Sequence, residues 1–304
     1  MKDKIMEIIE KNKGLVREGF VADYIPALSK ANPNNIGVSI VDLNGNIYNV
    51  GDYNEKFTIQ SISKVLSLIL ALLDHGEEKV FNKVGYEPTD EPFNTIYKLD
   101  FNWNKPSNPM INSGAIVTTS LIKGNGDEKI NRILDLIKVM TGNPNVSIDE
   151  EVYLSEKETG NRNRAMAYLL KSKGILSGDV EEILDTYFKQ CSIQVTSFDL
   201  AKIGLFIAKG CPLETKGLID NARIAAIVTA IMFTSGMYNF SGEYAVNVGI
   251  PSKSGVGGGI LGVVPGNYGI GIYGPALDRY GNSSVGYGII RDLSQHLKLN
   301  ILSR

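Results

Sequence analysis

Residues 60–73 read Gln60-Ser61-Ile62-Ser63-Lys64-Val65-Leu66-Ser67-Leu68-Ile69-Leu70-Ala71-Leu72-Leu73. From Ser61 to Leu73 the segment is apolar on nearly every side, which predicts a helix buried all round rather than a surface helix with one apolar stripe. Its first turn carries Ser61 and Lys64, spaced i and i+3 and therefore on one face. A neutral Lys64 could take the Ser61 proton and turn the hydroxyl into a nucleophile. The Ser61 N–H would be one of the unpaired amides of the helix N-terminus, suited to holding a developing oxyanion.

Outward from this helix, strand signals lie towards the two ends of the chain. Ile36 to Asp42 is apolar and partly β-branched, Asn44-Gly45 follows, and Ile47 to Val50 completes a hairpin pattern. Near the other end, Gly259 to Val264 and Tyr268 to Tyr273 read as strands joined at Pro265-Gly266-Asn267, and fifteen of the 32 glycines lie between Gly236 and Gly288. Helical periodicity fills the rest: Asp3 to Gly14, Asn112 to Ile122, Glu128 to Met140, Arg164 to Lys171, Val180 to Phe188, Ser197 to Lys209, Asn221 to Phe233 and Val285 to Leu299. The economical architecture is α+β, with an antiparallel sheet built from both termini, flanked by helices, and an inserted all-helical domain. Residues 1–58 and 220–304 are expected to form the sheet domain and 59–219 the helical one, with the active site between them.

Composition removes several alternatives. Of the 304 residues, 31 are Lys or Arg and 33 Asp or Glu, so no basic surface for nucleic acid is expected. Two histidines, His75 and His296, and two cysteines, Cys191 and Cys211, exclude a multi-histidine or all-cysteine zinc site and a disulfide framework. The first residues, Met1 to Gly14, lack the apolar core of a secretory signal, and the run from Val65 to Leu73 is too short to span a bilayer. With two scattered cysteines, the expectation is a cytoplasmic protein without a membrane partner.

A Ser-x-x-Lys match is weak alone, and Ser120-Leu121-Ile122-Lys123 is a second one. What singles out Ser61 is Lys253-Ser254-Gly255 late in the chain, an order seen in serine β-lactamases and penicillin-binding proteins. Lys253 is expected to lower the pKa of Lys64, Gly255 to let a substrate lie close to the strand edge, and the Val256 N–H to be a second oxyanion donor. The run Gly255-Val256-Gly257-Gly258-Gly259 is not read as a phosphate loop, because no Gly-Lys-Ser/Thr follows and it enters a strand.

Seven segments together extend the pattern over nearly the whole chain: Val21-Ala22-Asp23-Tyr24-Ile25-Pro26, Gln60-Ser61-Ile62-Ser63-Lys64, Asn108-Pro109-Met110-Ile111-Asn112, Ser155-Glu156 through Gly160-Asn161-Arg162-Asn163, Tyr187 through Cys191-Ser192-Ile193, Ser235-Gly236-Met237-Tyr238, and Pro251 through Val256. With these in order, the sequence resembles the serine-dependent glutaminases of the β-lactamase/penicillin-binding-protein-like fold. Ser113 and Asn239 depart from the pattern where Ala and Asp would be expected. The resemblance implies hydrolysis of L-glutamine to L-glutamate and ammonia without a metal or organic cofactor, and a homo-oligomer, a tetramer or a dimer. It also implies that Tyr24, Ser61, Asn112, Glu156, Asn163, Tyr187, Tyr238 and Val256 line the substrate site.

The chemistry of glutamine suits those residue types. Glu156 is a partner for the ammonium, and Asn112, Asn163 and Tyr187 can donate to the α-carboxylate. The Tyr238 hydroxyl could reach Ser61 and relay a proton, and Gln60, beside the nucleophile, is a further substrate contact. Two other functions share parts of the pattern: a penicillin-recognising serine hydrolase, and an inactive glutamine-binding protein.

Overall fold

The computed structural model describes residues 1–89, 105–214 and 217–303. Its main sheet has five antiparallel strands in the order β2-β1-β7-β6-β5, where β1 is Gly37–Asp42, β2 Ile47–Gly51, β5 Ser252–Ser254, β6 Gly259–Val264 and β7 Tyr268–Tyr273. Both ends of the chain thus contribute to one sheet, as the strand signals predict. Strand β2 is an edge and is largely exposed, whereas β6 is buried along its full length because helices cover both of its faces.

The alternation Tyr268-Gly269-Ile270-Gly271-Ile272-Tyr273 explains how those faces are covered. Ile270 and Ile272 join Ile5, Ile8, Ile289, Ile290 and Leu293 in the core beneath two terminal helices, α1 (Lys2–Asn12) and α11 (Ser284–Leu297). Gly269 and Gly271 face the other way, onto α8 (Ser197–Ala208). A Cβ on Gly271 would lie 2.7 Å from the Ala201 amide nitrogen, so only glycine admits this helix so close to the strand.

The remaining helices are α2 (Ser63–Lys83), α3 (Asn112–Leu121), α4 (Gly126–Thr141), α5 (Glu150–Thr159), α6 (Asn161–Ser172), α7 (Val180–Cys191), α9 (Asn221–Ser235) and α10 (Ser241–Asn247). Helix α2 is buried on all sides through Leu72, as its composition requires, and continues past the expected end by bending at Gly76 (φ +73°). The span 59–219 departs from an all-helical insertion in two ways. Helix α8 packs across β1, β6 and β7, because the glycines of β7 leave room for it. A two-stranded sheet pairs β3 (Phe57–Thr58) with β4 (Gln194–Val195), and the Ile59 N–H donates to the Ile193 carbonyl at 2.8 Å. This small sheet ties the entry of α2 to the exit of α7. Helix α5 has no counterpart among the periodic segments, since Glu150-Glu151-Val152-Tyr153-Leu154-Ser155-Glu156 lacks an apolar stripe. It is started instead by the Asp149 carboxylate capping the Val152 N–H at 3.0 Å. Among the described residues no single helix is long and apolar enough to cross a membrane.

Candidate active site

Between β3 and α2 the chain turns sharply through Gln60–Ile62, with Gln60 in the left-handed region at φ +49°. Such a conformation costs a non-glycine residue on the order of 1 kcal/mol and persists where the surroundings enforce it. Here the turn after β5 does so. A Cβ on Gly255 would lie 2.7 Å from the Ile59 carbonyl oxygen, and one on Gly257 2.5 Å from that of Thr58. The glycine at 255 therefore makes room for the polypeptide that carries Ser61.

This junction forms one wall of a cavity of about 230 Å³. Tyr24, Gln60, Ser61, Asn112, Glu156, Asn163, Tyr187 and Val256 all line it. Among the described residues neither the Ser61 nor the Val256 N–H donates a backbone hydrogen bond, so both amides are available to an oxygen in the cavity. Lys64, Tyr238 and Lys253 lie behind the lining, all buried.

Burial lowers the pKa of Lys64 to about 8, against the opposing charge of Glu156. Its ammonium nitrogen donates to Asn112 Oδ1 at 2.7 Å and to the Met110 carbonyl at 3.1 Å. Asn112 Nδ2 donates in turn to Asn163 Oδ1 at 3.0 Å. A chain of side chains thus runs from the lysine beside Ser61 to the far wall.

Tyr238 is also left-handed, at φ +56°, and its hydroxyl hydrogen-bonds with Ser61. It also donates to the Ser254 carbonyl at 3.3 Å, and burial pushes its pKa up to about 12. Lys253 Nζ donates to the carbonyls of Gly236 (2.9 Å) and Ser254 (2.6 Å) and lies 4.1 Å from the centroid of the Tyr238 ring. Its pKa is far below the usual lysine range, first through burial and then through repulsion by Lys64. Burial is thus the first cause of the depressed pKa at both lysines, and their charges repel each other.

On the opposite wall Glu156 projects from α5 and is 7% exposed. Burial raises its pKa to about 7, against the Gln60 amide that hydrogen-bonds to it and the charge of Lys64. Asn163 stands on α6 and Tyr187 on α7, the latter fully buried with its pKa pushed well above the phenol range. Tyr24 arrives from the loop before Pro26; its ring is largely exposed, while burial of its hydroxyl, with Tyr238 and Glu156 near, raises its pKa.

Ile25, Thr159, Gly160, Arg162 and Cys191 line the cavity as well, and the sequence reading assigns none of them to the site. Cys191 was legible: it follows Tyr187 by four residues on one helix and so shares its face. Burial drives its thiol up to about 12, which keeps it protonated. Gly160 admits Phe188 into the corner between α5 and α6, where a Cβ would lie 2.8 Å from the ring's Cε1. Among the described residues no cluster of His, Cys, Asp and Glu has metal-binding geometry.

A buried Ser-x-x-Lys helix start packed against a Lys-Ser-Gly strand, on an α+β sheet fold, defines a hydrolase of the β-lactamase-like class. The glutaminase family model matches residues 19–302. The glutaminase of Clostridium tetani (strain Massachusetts / E88) is 55% identical over 304 residues, covering 99% of each chain. The crystal structure of a probable glutaminase from Bacillus subtilis aligns with a TM-score of 0.90 and 38% identity, over 99% of this chain and 97% of that one. A covalent complex of the Bacillus subtilis glutaminase with 5-oxo-L-norleucine, formed by reaction with 6-diazo-5-oxo-L-norleucine, aligns at 0.88 with 39% identity, over 99% of each chain. The chain belongs to the glutaminase family.

Proposed function

We propose that the protein hydrolyses the side-chain amide of L-glutamine through a Ser61 ester. The observation that carries this reading is the pairing of walls in one cavity: a serine, three residues before a buried lysine with a pKa of about 8, faces a buried carboxylate with a pKa of about 7. Glutamine presents its ammonium to Glu156. Asn163, Tyr187 and the second N–H of the Asn112 amide receive its α-carboxylate, and its side-chain amide reaches Ser61.

Neutral Lys64 accepts the Ser61 proton as Oγ bonds to the amide carbon. The oxyanion sits on the Ser61 and Val256 N–H groups. The C–N bond breaks as the leaving nitrogen takes a proton from the Lys64 ammonium, with the Tyr238 hydroxyl on the other side of Ser61 as the second carrier, and ammonia departs. Water then cleaves the ester, giving glutamate and restoring Ser61. The covalent capture of the Bacillus subtilis relative by a glutamine-like diazoketone supports a nucleophile in such a cavity.

The same reading takes the protein as a homo-oligomer, a tetramer or a dimer, and as cytoplasmic. Two buried free thiols, Cys191 and Cys211, suit a reducing compartment. The test of function is release of ammonia and glutamate from L-glutamine by the wild type and by Ser61→Ala side by side. Equal release by both would reject Ser61, and none by the wild type would reject the substrate.

A further inference from the structure

Glutamine binding needs two seats at a fixed separation, an ammonium seat at Glu156 on α5 and a carboxylate seat that includes Tyr187 on α7. What holds these two helices in register is visible on the side away from the cavity. Asp185, two residues before Tyr187, accepts three hydrogen bonds: from Tyr153 Oη at 2.5 Å and Lys157 Nζ at 2.6 Å on α5, and from Lys189 Nζ at 2.8 Å on its own helix. Tyr153 and Lys157 flank Glu156, three residues before it and one after it. The Tyr153 ring is 8% exposed and lies between the two ammoniums, 5.4 Å from Lys157 and 5.6 Å from Lys189.

An isolated surface ion pair would contribute little. This is a three-donor network closed over a nearly buried ring, and such networks hold geometry better than separate pairs. Although partial burial alone would raise the Asp185 pKa, the hydrogen bonds from Lys157, Lys189 and Tyr153 hold it down to about 2, so the bridge is intact at any working pH. None of the three donors reaches the cavity lining. The network can therefore influence catalysis only by setting where α5 stands relative to α7.

We propose that Asp185 is a positioning residue that sets the spacing between the ammonium and carboxylate seats, and so the recognition of the α-amino acid end of the substrate. The inference rests on Glu156 being the ammonium seat. Asp185→Asn keeps the shape and an acceptor for Tyr153 but removes the charge. The Michaelis constant for glutamine should rise about tenfold with kcat within about twofold, since small displacements of binding groups are felt mainly in binding. The preference for glutamine over 4-carbamoylbutanoate, the same molecule without its α-amine, should shrink by the same factor. Lys157→Met should act in the same direction, and it serves as the test if Asp185→Asn does not fold. The double variant should be no worse than the single ones.

An equal loss of kcat/KM on both substrates, or unchanged kinetics with only a lower melting temperature, would overturn the proposal and leave Asp185 a purely structural group. Glu156→Gln separates the two layers. If it leaves the preference for glutamine intact, the seat itself is misassigned. If it abolishes the preference while Asp185→Asn and Lys157→Met do not alter it, the positioning role alone is wrong.

Discussion

The two walls of the cavity handle buried charge in opposite ways. On the Ser61 wall, two lysines are buried, and desolvation drives both towards the neutral form. On the helical wall, one carboxylate is buried, and desolvation drives it towards the acid form at about 7. The first arrangement prepares a base that can take a proton. The second leaves a site whose carboxylate regains its full charge when an ammonium arrives. Asn112 connects them, with its oxygen on Lys64 and its nitrogen on Asn163.

The contrast predicts that damage to the first wall appears in kcat and damage to the second in the Michaelis constant. Lys64→Met should lower kcat by about three to four orders of magnitude, the upper range for removal of a general base. A fall of less than tenfold would remove Lys64 from that role. Glu156→Gln should raise the Michaelis constant about thirtyfold to hundredfold, the worth of a charge-assisted hydrogen bond, with a smaller change in kcat. Steady-state kinetics on the two variants would erase the distinction between the walls if both moved the same parameter.

The pH profile reads both walls at once. A lysine lowered to about 8 is neutral only above that pH, and a carboxyl raised to about 7 is ionised only above it. Both active forms are deprotonated, so kcat/KM should fall as pH drops through 8, with a slope of one, and twice as steeply below about 7. Glu156→Gln should leave the single step. A profile flat between pH 6 and 9 would contradict both assignments.

The smallest expected effect comes from Ser113, next to Asn112. Among the described residues its buried hydroxyl has no hydrogen-bond partner, at a position where the resemblance leads one to expect Ala. A buried hydroxyl without a partner costs about 1 kcal/mol, so Ser113→Ala should raise the melting temperature by about 2 °C and leave kcat unchanged. Calorimetry would decide whether an unpartnered polar group here is merely a cost.

The two walls also differed in how much of them the sequence disclosed. Ser61 and Lys64 are three residues apart on a helix whose apolar composition announces its burial, so their meeting follows from local geometry. The two-ended sheet was legible for the same reason, from β-branched runs and turn signals. Glu156, Asn163 and Tyr187 lie on three helices, and nothing local distinguishes Glu156 from a solvated helix carboxylate; only the resemblance pointed to it. Helix α5 went unread because it is started by the Asp149 cap and held by the Asp185 network rather than by an apolar stripe. The packing of α8 onto β7 and the pairing of β3 with β4 are long-range, and periodicity carries no sign of either. The partners of Lys253, Gly236 and Tyr238, are set by the turn between α9 and α10, which one segment alone cannot report.

The most direct measurement is the site of covalent capture. The protein is incubated with 6-diazo-5-oxo-L-norleucine and mapped by peptide mass spectrometry, with Ser61→Ala in parallel. The account predicts a single 5-oxo-norleucine adduct on Ser61, absent from the variant. An adduct on Cys191 instead, or one that survives in Ser61→Ala, would contradict it.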